Sequence, residues 1–245
     1  MASLRFTALS LPRRGNTSGQ LEDAVAGAAA TGRFAVADGA SESCFADLWA
    51  ELLVEEFVSR ADCEPGELRS FLPNAQKRWQ ENMDGRTLPW FAEEGVRKGA
   101  FATFLGLAIA TSGRSLRWQA AAVGDSCLFH VRKNTLQKSF PLDSWKQFGT
   151  LPHLLGSRTL LGSIGEEMVQ KTDGRCEPED QLLLATDALA QWCLGQHEAG
   201  ENPWQQIASL VSSPTSEMDF PLWIDEKRDT GRLQNDDVAL LAVDL

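Results

Sequence analysis

The sequence predicts an α+β layered domain built on antiparallel sheets. Two observations carry this. Short apolar runs with strand character cluster together instead of alternating one for one with helices. The helical stretches between the clusters are long and place apolar residues at helical spacing. Bulk properties agree: 245 residues, 43% hydrophobic and 23% charged, suit one globular domain over 1–245 with a sizeable core.

The first clear strand is "RFAVA" at 33–37, which runs straight into Asp38-Gly39. A helix is expected over 44–60, with Phe45, Leu48, Trp49, Leu52, Leu53 and Phe57 on one stripe. Residues 65–83 predict a helix pair, and 89–101 a further helical stretch. Strands follow at 101–110 and 115–124, joined by the turn "TSGR", and then at 126–134. The last two strands are expected at 181–187 and 237–245, with helices over 188–196 and 202–213 between them. Residues 213–235 read as a long polar loop.

Composition excludes some functions. A formal net charge of −11 and a pI near 4.8 argue against nucleic acid as a partner. No stretch approaches the roughly 20 apolar residues of a membrane span, and the N-terminus is interrupted early by Arg13-Arg14, unlike a signal peptide. Five cysteines are scattered with no C-x-x-C pair, which predicts a reducing, cytoplasmic setting and no zinc site. His130, His153 and His197 share no ligand spacing and read as surface or packing residues.

The carboxylates are more informative. Glu22-Asp23 precede the first clear strand, Asp38 ends it, Asp125 follows another in "AVGDS", Asp187 ends "QLLLATD", and Asp236-Asp237 open the last. One Asp-Gly at a strand end is a turn. Four such positions beside core strands predict carboxylates converging on one sheet edge. Clustered carboxylates need cations among them, and nearby basic residues are few. An all-oxygen set favours Mg²⁺ or Mn²⁺ over zinc. Two such ions in one site would activate a water for attack on a phosphoryl group. P-loop and serine-elbow signatures are absent from the sequence.

"LEDA", "FAVADGA", "GAFATFLGL", "AAVGDSCLFHVR", "DQLLLATDAL" and "NDDVALLAV" resemble, in order, the blocks of the metal-dependent protein phosphatase (protein phosphatase 2C) family, bacterial type. The blocks span 22–245. The resemblance implies a four-layered α-β-β-α sandwich of two antiparallel sheets flanked by helices, with two Mn²⁺ or Mg²⁺ ions between the sheet ends. It implies Asp38 bridging both metals, the Gly39 carbonyl on the second, and Asp187 and Asp236 on the first. Glu22 or Asp23 would contact metal directly or through water. Asp125 would serve, with Asp187, a more weakly held third ion. Asp237 has no ligand role. The implied reaction is hydrolysis of phosphoserine or phosphothreonine by a metal-activated water, in signalling opposite a Ser/Thr kinase.

The sequence also departs from the family's pattern. Asp38-Gly39 continues Ala40-Ser41-Glu42 instead of into a glycine-rich turn, and Asp187 is followed by Ala188. Ser18 stands where the phosphate-binding arginine is usual, so Arg13 or Arg14 is expected to reach in. Two other readings remain open: a phosphatase-fold regulatory or binding module with weak or no catalysis, and a hydrolase of a small phosphorylated metabolite.

Overall fold

Strands that are apolar on both faces must be covered on both faces, and the chain does this in four layers. The computed structural model describes residues 4–61, 64–87, 90–112, 115–149 and 151–245. Cys63, Pro89 and residues 113–114 of the expected "TSGR" turn lie outside the described residues.

The strands are β1 (Arg5–Leu11), β2 (Asp23–Ala28), β3 (Arg33–Asp38), β4 (Phe101–Ala102), β5 (Phe104–Ser112) and β6 (Ser115–Val123). They continue with β7 (Cys127–Arg132), β8 (Thr135–Phe140), β9 (Leu155–Gly156), β10 (Gln170–Cys176), β11 (Asp180–Ala185) and β12 (Val238–Asp244). The helices are α1 (Ala46–Ser59), α2 (Leu72–Met83), α3 (Trp90–Lys98), α4 (Asp187–Glu198), α5 (Pro203–Val211) and α6 (Ser216–Asp229). Two five-stranded sheets have the orders β1-β12-β11-β7-β8 and β10-β6-β5-β3-β2, and β4 pairs with β9 apart from them. The pairings are antiparallel.

Strand alternation sorts side chains into three cores, one at each junction between layers. Phe34 and Val36 of β3 meet Leu182 and Leu184 of β11 and Leu241 of β12 between the sheets. Their neighbours Ala35 and Ala37 face Trp49, Leu53 and Phe57 of α1 and Trp79 of α2. On the far side, Leu183, Leu240 and Ala242 pack against Trp192, Trp204, Phe220 and Ile224 of the last three helices. Each fully buried side chain of this kind contributes about 1.5–3 kcal/mol. No helix among the described residues is long and apolar enough to cross a membrane.

Several expectations need correction. The segment 213–235 is not a loop, because α6 fills Ser216–Asp229. Its buried positions, Phe220, Ile224, Lys227 and Arg228, follow i, i+4, i+7, i+8, but two of them are cationic and so disguise the stripe. Pro221 also reads as a breaker. It removes one helical N–H donor, opposite the carbonyl of exposed Glu217, where water can replace it. Residues 65–83 hold one helix, α2, preceded by a single 3₁₀ turn at Leu68–Ser70, not a helix pair. The expected strand 101–110 divides at Thr103, and Asp187 opens α4 instead of closing β11.

The packing of α6 yields a direct contrast. Ile224→Ala removes a fully buried side chain and is expected to cost about 2–5 kcal/mol. Leu222→Ala, two residues away at 73% exposure, should stay within about 0.5 kcal/mol of wild type. Urea unfolding measures both, and equal effects would deny the helix its place.

Candidate metal centre

Strand register brings the acidic residues to one end of the molecule. Asp23 lies directly opposite Asp38 across the β2–β3 pair. Leu105 pairs with Val36, and Val123 with Phe104, so β6 delivers Gly124 and Asp125 to the same end. In the other sheet Ala185 pairs with both Cys127 and Leu240, and Leu11 with Val238. Asp187, Asp236 and Arg13 therefore leave the second sheet at that end too. A bond between the sheets closes the gap: Thr186 Oγ1 donates to Asp23 Oδ2 at 2.7 Å.

Hydroxyls and one glycine fix the main chain here. The Asp38 amide donates to Thr103 Oγ1 at 3.3 Å, and the Thr103 amide donates back to the Asp38 carbonyl at 2.8 Å. Thr103 Oγ1 also pairs with Ser126 Oγ at 2.9 Å, tying β3 to the Asp125 turn. The Gly39 amide donates to the Glu22 carbonyl at 3.1 Å. A Cβ on Gly39 would stand 2.8 Å from the carbonyl oxygens of both Glu22 and Ala46, so no side chain fits. Asp237 accepts the amides of Arg13 and Glu22, each at 2.7 Å, and accordingly holds the chain in place. Asp236 Oδ1 accepts the Asp237 amide at 2.9 Å.

Burial first, then neighbouring carboxylates, set the electrostatics. Both push Asp23 and Asp38 well above the usual carboxylate range, with the Thr186 bond opposing on Asp23. Burial also raises Asp125, against its own backbone hydrogen bond. Asp187 is pushed up to about 7 by burial and then by Asp125 and Asp236. Among the described residues, none of Asp23, Asp38, Asp125 and Asp187 has a basic partner in a salt bridge. Buried, uncompensated carboxylates are costly, and Asp125 Oδ1 is buried with no hydrogen-bond partner at all.

This oxygen-only donor set and its missing counter-charge fit a hard divalent ion. The fit is one of chemistry and burial. Among the described residues no three Asp, Glu, His or Cys side chains stand close enough to hold an ion as a ready-made cage.

The two candidate arginines part company. Arg13 Nη1 donates to Ser41 Oγ at 3.4 Å and Nη2 stands 3.9 Å from Glu22 Oε2, while Ser41 Oγ donates to the same carboxylate. Arg14 turns to α6 instead, with Nε 2.9 Å from Asp225 Oδ1 and Nη1 2.6 Å from Asp229 Oδ1. Arg33 stacks 4.7 Å over Phe57 at the opposite end of β3. His130 is buried at the opposite end of β7 and β11, its Nε2 2.7 Å from Asp180, so it is a packing residue and not a surface one. Sequence reasoning singled out the carboxylates but not Thr186, Ser126 or Ser41, since an isolated hydroxyl has no periodicity to betray it.

These raised values set a pH dependence. The folded chain holds more protons than the unfolded chain between the ordinary carboxylate range near 4 and, for Asp187, about 7. Stability therefore falls as pH rises through that window. Asp180 does not offset this. Burial pushes it up, but hydrogen bonds from Arg132, the Glu177 amide and His130 outweigh that and hold it at about 2, below the window. In chelator, the Tm should fall between pH 5 and pH 8, and Asp187→Asn should flatten the fall. A Tm that rises over this range would contradict the cluster.

No protein-family profile and no characterised protein sequence matches the chain. Solved structures do. The serine/threonine phosphatase PstP/Ppp of Mycobacterium tuberculosis superposes with a TM-score of 0.64 at 18% identity, covering 99% of this chain and 98% of that one. The PstP catalytic domain in complex with two manganese ions gives 0.62 at 19% identity, covering 98% and 97%. PppA, a regulatory component of the type VI secretion system in Pseudomonas aeruginosa, gives 0.58 at 19% identity, covering 99% and 98%. The chain has the four-layered fold of the Ser/Thr phosphatase PstP, the fold that the protein phosphatase 2C resemblance implies.

Proposed function

We propose that residues 1–245 form one domain that hydrolyses phosphoserine or phosphothreonine in a protein substrate, in the cytoplasm and opposite a Ser/Thr kinase. The observation that carries this reading is the convergence of buried Asp23 and half-buried Asp38, Asp125, Asp187 and Asp236 on one end of both sheets, with no salt-bridge partner for the first four among the described residues. Asp38, Asp187 and Asp236 would hold two Mn²⁺ or Mg²⁺ ions, with Glu22, Asp23 and the Gly39 carbonyl beside them and Asp125 at a third, weaker position. When bound, such ions supply the positive charge that makes water nucleophilic at neutral pH and neutralises phosphoryl oxygens. The chain itself supplies orientation. Arg13 is 37% exposed and only loosely held by Ser41 and Glu22. It is free to swing onto a substrate phosphate in a bidentate contact. Arg14 is tied up by two α6 carboxylates, which favours Arg13 of the pair as the phosphate-binding residue.

A second reading is a phosphatase-fold regulator with weak or no catalysis. It draws support from the altered Ala40-Ser41-Glu42 turn.

Turnover of an aryl phosphate decides between them. Activity should need Mn²⁺ or Mg²⁺, vanish in chelator, and drop by orders of magnitude in Asp187→Asn. Arg13→Ala should lower kcat/KM about tenfold or more, a loss of about 1.4 kcal/mol, while Arg14→Ala stays within about threefold. Metal-independent or absent turnover would favour the regulator, and equal effects at both arginines would return Arg13 to the surface.

A further inference from the structure

Arg228 lies on α6 with its side chain only 2% exposed. Its salt-bridge partner among the described residues is half-exposed Asp225, 3.4 Å from Nη1, whose Oδ1 lies closer to Arg14 Nε, at 2.9 Å. Its Nε is buried without a partner. The guanidinium also donates to two main-chain carbonyls: Nη2 to the Asp236 oxygen at 2.6 Å, its shortest bond, and Nη1 to the Pro12 oxygen at 3.3 Å. Burying a cation in this way costs stability, and an apolar residue of similar length would fill the space without that cost.

The choice of carbonyls is informative. Asp236 is a proposed metal ligand, and Pro12 immediately precedes the proposed phosphate-binding Arg13. The same junction carries the bonds from the Arg13 amide to Asp237, from the Glu22 amide to Asp237, and from the Arg14 amide to Asn235 Oδ1 at 2.8 Å. Three chain segments, at 12–14, 22 and 235–237, thus meet where one buried guanidinium clamps two of them to α6.

We propose that Arg228 is a positioning residue: it fixes the main chain at Asp236 and Pro12 so that the metal-binding loop and the Arg13 segment keep a common register. The proposal rests on the phosphatase reading for the roles of Asp236 and Arg13. It acts through the backbone, however, and can be read without turnover.

The test compares Arg228→Met, close in length but apolar, with Arg228→Lys and, as a control, Asp225→Asn. Amide hydrogen exchange is followed in metal-free protein, and Mn²⁺ affinity by calorimetry. Arg228→Met should speed exchange at Arg13, Glu22 and Asp237 about tenfold or more and leave α1 unchanged, the mark of a local opening. It should weaken Mn²⁺ binding about tenfold, the scale for a group that orients a ligand. Arg228→Lys should recover part of both effects, and Asp225→Asn should produce neither. Unchanged exchange at the three amides, equal acceleration in α1, or the same result from Asp225→Asn would overturn the proposal. If wild type hydrolyses no phosphate ester or binds no Mn²⁺, the phosphatase reading fails, while the exchange pattern still decides the role of Arg228.

Discussion

Electrostatic repulsion among carboxylates that the strand register forces together is the constraint around which this molecule is organised. Asp23 and Asp38 are paired across two strands, an arrangement in which like charges destabilise a sheet. Asp125 and Asp187 arrive from the other strands of both sheets, and half-burial there limits their access to water. A fold can bear such a cluster only if the rest of it is strong enough and if protons or cations share the site. Both conditions shape the structure. The cluster sits beyond the ends of strands that are apolar on both faces, and the carboxylates hold their protons to higher pH than free ones do.

The double-faced burial explains what was legible in the sequence. The strands read in advance, β3, β5, β6, β7, β11 and β12, are the interior ones, and β3, β7, β11 and β12 are buried on both faces along nearly their whole length and so read as largely apolar runs. Besides the two-residue β9, the strands that escaped, β1, β2, β8 and β10, are the four edges of the two five-stranded sheets. β8 and β10 carry Thr, Gln, Lys and Asp on exposed positions, as edges do to avoid pairing with other chains. Composition alone cannot tell such a strand from a loop. Helix α6 was hidden for a related reason, because its buried stripe includes the stems of Lys227 and Arg228.

The candidate site divides along the same line. Asp38, Asp125, Asp187 and Asp236 could be found because each flanks a legible strand, whereas Asp23 opens unread β2, and the family resemblance supplied the roles of all of them. The hydroxyls that support them could not, since Thr103 and Ser126 tie β3 to the Asp125 turn and Thr186 ties one sheet to the other, all through bonds that exist only in the folded chain. Arg13 and Arg14 were equivalent as neighbours in sequence. Tertiary contacts separate them, sending Arg14 to Asp225 and Asp229 and leaving Arg13 beside Glu22. The altered turn after Gly39 takes part in this, because Ser41 bridges Arg13 and Glu22.

Everything in this account turns on whether the converging carboxylates take divalent ions. The most direct measurement is anomalous diffraction at the manganese absorption edge from crystals grown with Mn²⁺. The account predicts two strong peaks at the sheet ends, with Asp38 oxygens at coordination distance from both and Asp187 and Asp236 on one of them. Peaks confined to the outer surface, or no peak within reach of Asp38, would contradict it.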